Sequence, residues 1–387
     1  MENIPTTTFD FLSYDNLCVA IAVVAIVLLV AQVALYIWLY ARVASHRMMS
    51  KTPIREEEPA ISVVVPLFIE DSHYLDHKLP ELLTQDYPNF EVVLVYVGNS
   101  DDFFNEIKSL QNLYPNLSPK HIDSSPRYPV STKLAINVGI IGAKHDFVVI
   151  SSYDAIPSSE RWLSLLAKGF MYGDITLAYS GMERKMGFLN FIIREYQLNK
   201  SLAWISSAIR GHAYAGSRHT LGFKKSLYFD VRGFNHLNMN VGEDDLFVQK
   251  IATRDNVSVV LSPRATCTEF IWGGFKWWLR RIKLLRSTYR YYPKGALFAS
   301  RSELVLRALF FLAILAAIIV LPWKFKAIAL AVALLRYLIV AFVFMRNAHR
   351  LGERRLLSKH ILYDFIEPGF RLFIAIASGR NKGRSWN

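Results

Sequence analysis

Three sets of carboxylates in this chain have the type and placing to hold charge or move protons. Asp154 closes the run Asp146–Pro157, DFVVISSYDAIP, in which Phe147–Ile150 reads as a buried strand. A short apolar run bounded by polar residues is what a parallel strand covered on both faces looks like. In open α/β sheets ligands sit beyond the carboxyl ends of such strands, so Asp154 stands where a metal-held anion could be gripped. The competing reading is a turn residue that precedes Pro157 and caps the next helix. The second set is Glu243-Asp244-Asp245, directly after Gly242. Adjacent like charges repel, so a fold keeps them only with a helix N-terminus, a cation or solvent in compensation. Acids exposed at a helix start are the plainer alternative there. The third set is the single residue Glu70, just after Ile61–Val65 and Pro66.

The elements that must position these groups alternate in type. Ile61–Val65 is a β-branched strand, Leu79–Thr84 fits a helix face, and Asp86–Asn89 is a turn. Glu91–Val97 is a second buried strand, residues 101–115 look helical, and Lys133–Ala143 reads as a helix feeding the strand at 147–150. Residues 160–171 and 188–209 read as helical, 211–240 as ordered loops, 242–252 as a helix start and 257–261 as a strand. Such alternation indicates βαβ units and a mostly parallel sheet flanked by helices, an α/β fold. His212, His219 and His236 fall in the loop stretch and read as loop or core histidines rather than metal ligands.

The bulk numbers point to a membrane. The chain has 387 residues, 52% of them hydrophobic, and a formal net charge of +13. Its mean hydropathy is +0.21, high for a soluble enzyme. Long apolar runs together with excess positive charge suit an anionic lipid surface and phosphate-bearing substrates. No nucleic-acid motif is present, so no nucleic-acid partner is expected. The two cysteines, Cys18 and Cys267, lie in different parts of the chain and suit a reducing compartment.

Leu17–Tyr40 is long and apolar enough for a bilayer-spanning helix, with Tyr36, Trp38 and Tyr40 at one end. Arg42, Arg47, Lys51 and Arg55 come at once after it, which places the N-terminus outside and the domain beyond residue 45 in the cytoplasm. Leu304–Trp323 and Phe325–Met345 are two further runs with a very short linker, a helical hairpin. Arg336 inside the second run should face protein or water. Ile361–Ser378 carries Asp364, Glu367, Pro368 and Arg371 and reads as an interfacial or re-entrant piece. The expected organisation is an extracytoplasmic tail at 1–16, a transmembrane helix at 17–41, a basic linker at 42–59 and an α/β domain at 60–270. Beyond it lie an interfacial amphipathic helix region at 271–300, a transmembrane hairpin at 304–345 and a basic tail at 346–387. In the 271–300 region, aromatic rings would lie in the acyl boundary and cations at phosphates; docking of the helix on the domain is the alternative.

Taken in order, several motifs resemble a known family. They are VVVP-x3-Glu70, QDYPNFEVVLV, Lys133-x3-Asn137-x-Gly139, Asp154-x2-Pro157, Gly242-Glu243-Asp244-Asp245-Leu246-Phe247 and Trp278-Leu279-Arg280-Arg281. Together they resemble a family 2 glycosyltransferase of the GT-A nucleotide-sugar fold, in its membrane-attached bacterial subgroup with a GDDDLF-like motif. The resemblance covers roughly residues 60–290.

What the resemblance implies is a membrane-bound, inverting, metal-dependent glycosyltransferase. It would use Mg²⁺ or Mn²⁺ and a nucleotide-sugar donor, with a UDP-sugar favoured. The acceptor would be a lipid-linked or membrane-proximal glycan in cell-envelope glycan synthesis. The catalytic domain of this multi-pass protein would sit on the cytoplasmic face of a bacterial inner membrane, against its lipids. Donor-side positions are Pro66, Glu70, Tyr96, Lys133, Ser152 and Asp154, with Asp154 the metal ligand. Ser152-Tyr153-Asp154 matches the family's D-x-D triplet with Ser in place of the first acid. Tyr96 and Val97 stand where the family has base-reading acids, and Tyr96 could stack on a base. Asp244 matches the catalytic base best, with Asp245 and Glu243 beside it. Gly216, Arg218, Trp278, Arg280 and Arg281 match acceptor and diphosphate positions, Arg281 replacing the Gln of a Q-x-x-R-W motif whose Arg-Trp pair is missing. The departures leave an alternative, a catalytically degenerate member that binds a nucleotide sugar or a partner as a scaffold.

Overall fold

The computed structural model describes residues 14–48, 52–124, 129–234 and 241–379. In chain order, α1 (Tyr14–Ser45) leads to β1 (Ile61–Leu67), α2 (Leu79–Leu83), β2 (Phe90–Val97), α3 (Asp101–Ser109), β3 (Leu117–Ile122), α4 (Thr132–Gly142) and β4 (Phe147–Ile150). Next come β5 (Ala155–Pro157), α5 (Trp162–Phe170), β6 (Ile175–Ala178), β7 (Ser180–Met182) and α6 (Phe188–Ile209). They are followed by β8 (Leu221–Lys224), α7 (Lys225–Asp230), α8 (Leu246–Ile251), β9 (Val257–Val260) and β10 (Cys267–Glu269). Four more helices are α9 (Phe275–Arg286), α10 (Phe298–Val320), α11 (Trp323–Arg350) and α12 (Leu357–Gly379).

Seven strands form one sheet in the order β3-β2-β1-β4-β8-β6-β9, in which only β8 runs antiparallel to its neighbours. Val63 lies between Val92 and Val149 in register, and all three are buried, as a sheet covered on both faces requires. The strand order turns at β1 and β4, with β2 and β3 built out on one side and later strands on the other. In open α/β sheets the ligand crevice lies at such a switch point, here the carboxyl ends of β1 and β4. A second sheet, β5-β10-β7, lies where the chain leaves β4. Ser100 and Ser131 cap α3 and α4, accepting hydrogen bonds from the backbone N–H of Phe103 at 3.1 Å and of Leu134 at 3.2 Å. Such caps are worth about 1 kcal/mol each.

The stretch expected to be loop, 211–240, instead supplies β8 in the middle of the sheet and α7 after it. Gly222 hid the strand. A Cβ there would stand 2.6 Å from the Phe170 ring, so α5 can cover β8 only because the residue has no side chain. His236 lies outside the described residues.

Among the described residues, three helices are long and apolar enough to cross a membrane: Asn16–Ser45, Phe298–Val320 and Phe325–Arg350. Their exposed sides are apolar, but their inner faces are not. Arg307 of α10 binds Glu303 (2.6 Å), Asp364 (3.1 Å) and Glu367 (2.7 Å). Arg336 of α11 is buried against Asp364 and donates to Gln32 of α1 at 3.0 Å. Arg371 pairs with Glu367 at 2.6 Å. Three arginines therefore face three acids, so the network is neutral and its desolvation is compensated. This answers the need of Arg336 for a protein partner. Residues 361–378 lie within one continuous helix, α12, whose acids turn inward while Phe365, Leu372 and Ile376 stay exposed.

Candidate active site

β4 delivers Asp154 to the crevice through the turn Ser151–Asp154. The Asp154 carbonyl accepts the N–H of Phe270 at 2.8 Å, which ties this turn to the end of β10. The Ser152 hydroxyl donates to Asp154 Oδ1 at 2.5 Å. Thus the serine that replaces an acid here orients the acid that remains. The loop before β8 carries His219, fully buried, with Nδ1 at 3.7 Å from Asp154 Oδ1. Its Nε2 lies 3.1 Å from Oε2 of Glu269, the last residue of β10. Neither ring nitrogen makes an aligned hydrogen bond, although both are cut off from solvent. Arg281 of α9 pairs with the other oxygen of Glu269. Burial works against the Glu269 charge, but Arg281 and His219 outweigh it and bring its carboxyl down to about 2.

Asp154, His219 and Glu269 offer one ligand atom each within 4.8 Å of one another. Two carboxylates and an imidazole are a donor set a divalent ion accepts, and buried unpartnered ring nitrogens are what such an ion would satisfy. Sequence reasoning took His219 for a loop or core residue. It is buried as a core residue is, yet it faces Asp154. Glu269 was missed altogether, because its strand is three residues long and its partners are remote in sequence.

The acid motif approaches the same crevice. Glu243 is buried and accepts from Arg218 at 3.0 Å, while its second oxygen is left without a partner. Arg218 is the bridge between the two halves. Burial opposes its charge, but Glu243, Asp154, Asp244 and Glu269 together hold the guanidinium above its ordinary value. The Gly216 N–H donates to the Asp244 carbonyl at 2.8 Å, fastening the Arg218 loop to the acids. Asp244 keeps a partly exposed side chain. Crowding by protein, then by Asp245 and Glu243, pushes its carboxyl up to about 7. Asp245 caps α8 and accepts from Thr288 at 2.6 Å and Tyr292 at 2.7 Å, so its oxygens are spent on structure. The three acids are not a solvated helix start.

Lys133, at the start of α4, is buried; desolvation lowers its pKa while Glu243 and Asp245 oppose that. Glu70 is elsewhere engaged, accepting from Tyr96 OH at 2.5 Å. Tyr96 is fully buried and stacks on His121 with ring centroids 5.2 Å apart. A Cβ on Gly98 would fall 2.2 Å from the Tyr96 hydroxyl, so the chain passes over that ring closely. The expected role of Tyr96, stacking on a base, is therefore taken by protein: its ring faces His121 and Phe104. Pro66 lies in β1 past the last residue paired with β4, where no N–H is needed. Arg280 is exposed and turned away from Glu269's partner Arg281 by helical spacing. Trp278 is not at an acyl boundary but buried, stacked on Phe370 of α12 at 5.2 Å and edge-on to Tyr196 of α6 at 5.6 Å. α9 docks on the protein through Trp278 and Ile282, while Phe275 and Trp272 remain exposed.

A mostly parallel sheet with acids at the carboxyl ends of its central strands is a GT-A-like fold. The mannosyltransferase PcManGT from Pyrobaculum calidifontis, solved in complex with GDP-Man and Mn²⁺, shares this fold. It is 18% identical, with a TM-score of 0.55 over 90% of this chain and 99% of that one. The 1-349 segment of S. aureus TarS in complex with UDP-GlcNAc is also similar. It is 16% identical over 78% of this chain and 92% of that one, with a TM-score of 0.39. No curated protein matches in sequence. The chain belongs to glycosyl transferase family 21, whose model matches residues 18–369. The motif order resembled family 2; a glycosyltransferase is what the two assignments have in common.

Proposed function

We propose that this protein is a membrane-attached, inverting glycosyltransferase of family 2-like mechanism. It moves a sugar from a nucleotide-sugar donor to a lipid-linked or membrane-proximal acceptor at the cytoplasmic face of a bacterial inner membrane. The observation that carries this reading is that Asp154, Glu269, Glu243 and Asp244 all act on one arginine, Arg218, which pairs with Glu243 at 3.0 Å, while His219 stands between Asp154 and Glu269. Asp154, His219 and Glu269 are the residues that would hold a divalent ion. When bound, that ion would offset the charge of the leaving nucleoside diphosphate. Mg²⁺ takes oxygen ligands almost alone, so the imidazole favours Mn²⁺. The presence of GDP-Man and Mn²⁺ in PcManGT supports this choice and makes a GDP-sugar as reasonable a donor as a UDP-sugar.

Asp244 is the group placed to take a proton from an acceptor hydroxyl. It is partly exposed, free of the bonds that occupy Asp245, and its raised pKa suits a base working near neutrality. Arg218 and Lys133 add positive charge where the diphosphate develops its own. The test is transfer of radiolabelled sugar from GDP- and UDP-sugars into membrane lipid extract, with Mn²⁺ or with chelator. Metal-dependent labelling of the lipid phase is expected. Labelling that ignores metal contradicts the role given to the ion, and no labelling with any donor despite donor binding contradicts transfer and leaves the scaffold alternative.

A further inference from the structure

Away from the acid motif, the turn that joins α11 to α12 borders a hollow of about 230 Å³. Part of its wall is apolar, from Phe344, Met345 and Leu357; the rest carries His349, Arg354 and Arg355. A water takes about 30 Å³ in the liquid, so there is room for a tetrahedral oxyanion and several waters.

The one acid in this wall is Glu353, and it is spent inward. It is buried and accepts from Arg194 at 2.5 Å and from the Tyr179 hydroxyl at 2.9 Å. Arg194 also donates to the Arg354 carbonyl at 3.0 Å, and the Glu353 N–H donates to the Ala348 carbonyl at 2.8 Å. The turn is thus fixed by its backbone and its acid, while the side chains of Arg354 and Arg355 stay exposed. Neither arginine stands within ion-pair distance of a carboxylate among the described residues. Arg355 is held at a φ of 62°, a left-handed conformation uncommon outside glycine.

The level of the hollow in the molecule is set by α11 and α1. It lies where the Phe325–Arg350 run, long and apolar enough to cross a membrane, gives way to cations. Arg350 donates to the His46 carbonyl at 3.4 Å and Asn347 to the Tyr40 carbonyl at 3.1 Å, so α11 ends beside the end of α1. Arg42 and Arg346 are exposed at the same level. For helices that cross a bilayer, this is where hydrocarbon meets headgroups, and basic pockets there attract anionic lipid.

We propose that this hollow holds the phosphate of an anionic phospholipid of the surrounding bilayer, as a resident lipid and not as the acceptor. The phosphate lies against Arg354 and Arg355, whose planar guanidiniums match its oxygens. An acyl chain leaves along Met345 and Leu357, which are both exposed. No acid here is placed to take a proton from the lipid, because Glu353 is bonded to Arg194 and Tyr179. A zwitterionic lipid brings its own cation toward the arginines and gains less, and a free phosphate has no chain for the apolar wall. The site stands whether or not the acid motif transfers sugar.

The test offers the full chain in detergent either phosphatidylglycerol or phosphatidylcholine with the same acyl chains, and reads retention by native mass spectrometry. Phosphatidylglycerol is retained about tenfold more, and the pair Arg354→Gln with Arg355→Gln removes that preference. Arg346→Gln, an exposed cation outside the hollow, keeps it, and excess glycerol phosphate does not displace the lipid. Equal retention of the two lipids by the wild type, or a preference untouched in the double variant, overturns the proposal. An equal loss in Arg346→Gln overturns it as well, since the attraction would then belong to the whole basic surface. Displacement by glycerol phosphate would make this a free-anion site and remove the lipid.

Discussion

His219 Nε2 and Glu269 Oε2 stand 3.1 Å apart, one on the loop before β8 and the other at the end of β10. Neither residue is near the other in sequence, and neither is near Asp154. The contact brings an imidazole under a carboxylate that the β4 turn has already aimed. If these groups share an ion, His219→Ala and Glu269→Gln should each weaken Mn²⁺ binding about 10- to 100-fold without unfolding the domain. Isothermal titration with Mn²⁺ alone reads this, and circular dichroism checks the fold. Unchanged Mn²⁺ affinity in both variants would remove the pair from the site.

The three adjacent acids should separate by role. Asp244→Asn is expected to lower kcat about 10²- to 10⁴-fold with donor affinity within a few fold, because a base acts in the transition state. Asp245→Asn should behave differently, since that carboxylate holds Thr288 and Tyr292. It should cost about 1–3 kcal/mol of stability, visible as a lower Tm. Near-normal turnover in Asp244→Asn together with loss in a well-folded Asp245→Asn would transfer the base to Asp245.

The same carboxyl sets a pH profile. Asp244 must be ionised to accept a proton, and its pKa is raised to about 7, so activity falls as pH drops through that value. The sign is that of a base: kcat/KM climbs with pH and levels off above about 7. A rate that stays flat down to about pH 5 would mean that the working base has an ordinary carboxylate pKa or lies elsewhere.

The charge network among α10, α11 and α12 should be strongly coupled. Arg336→Met leaves Asp364 buried with one fewer partner and is expected to cost about 3–5 kcal/mol. Adding Asp364→Leu should recover much of that, because the orphaned charge goes too. Thermal unfolding in detergent measures both. Additive losses in the double variant would show that the two residues do not act as a pair.

Much of the frame was legible from residue type. The β-branched runs 61–65 and 91–97 and the strand at 147–150 fixed the parallel half of the sheet, and uninterrupted apolar length marked the helices long enough to cross a membrane. Asp154 and the 243–245 acids stood out because carboxylates at strand ends and in runs are costly unless used. What stayed hidden depended on contacts between distant segments. Gly222 masks a central strand that only Phe170 explains. His219 looks like any loop histidine until β10 carries Glu269 beside it. Tyr96, read as a platform for a base, is already covered by His121 and Phe104, which no local pattern foretells. The charges of α12 suggested a surface piece because a single helix cannot display the arginines of α10 and α11 that receive them.

The most direct measurement is a titration of GDP- and UDP-sugars into the full chain with Mn²⁺ and with chelator, repeated on Asp154→Asn. The account predicts that at least one donor binds only when metal is present, and that the variant loses that binding by about tenfold or more. Donor binding that is equally strong with chelator and in Asp154→Asn would contradict it.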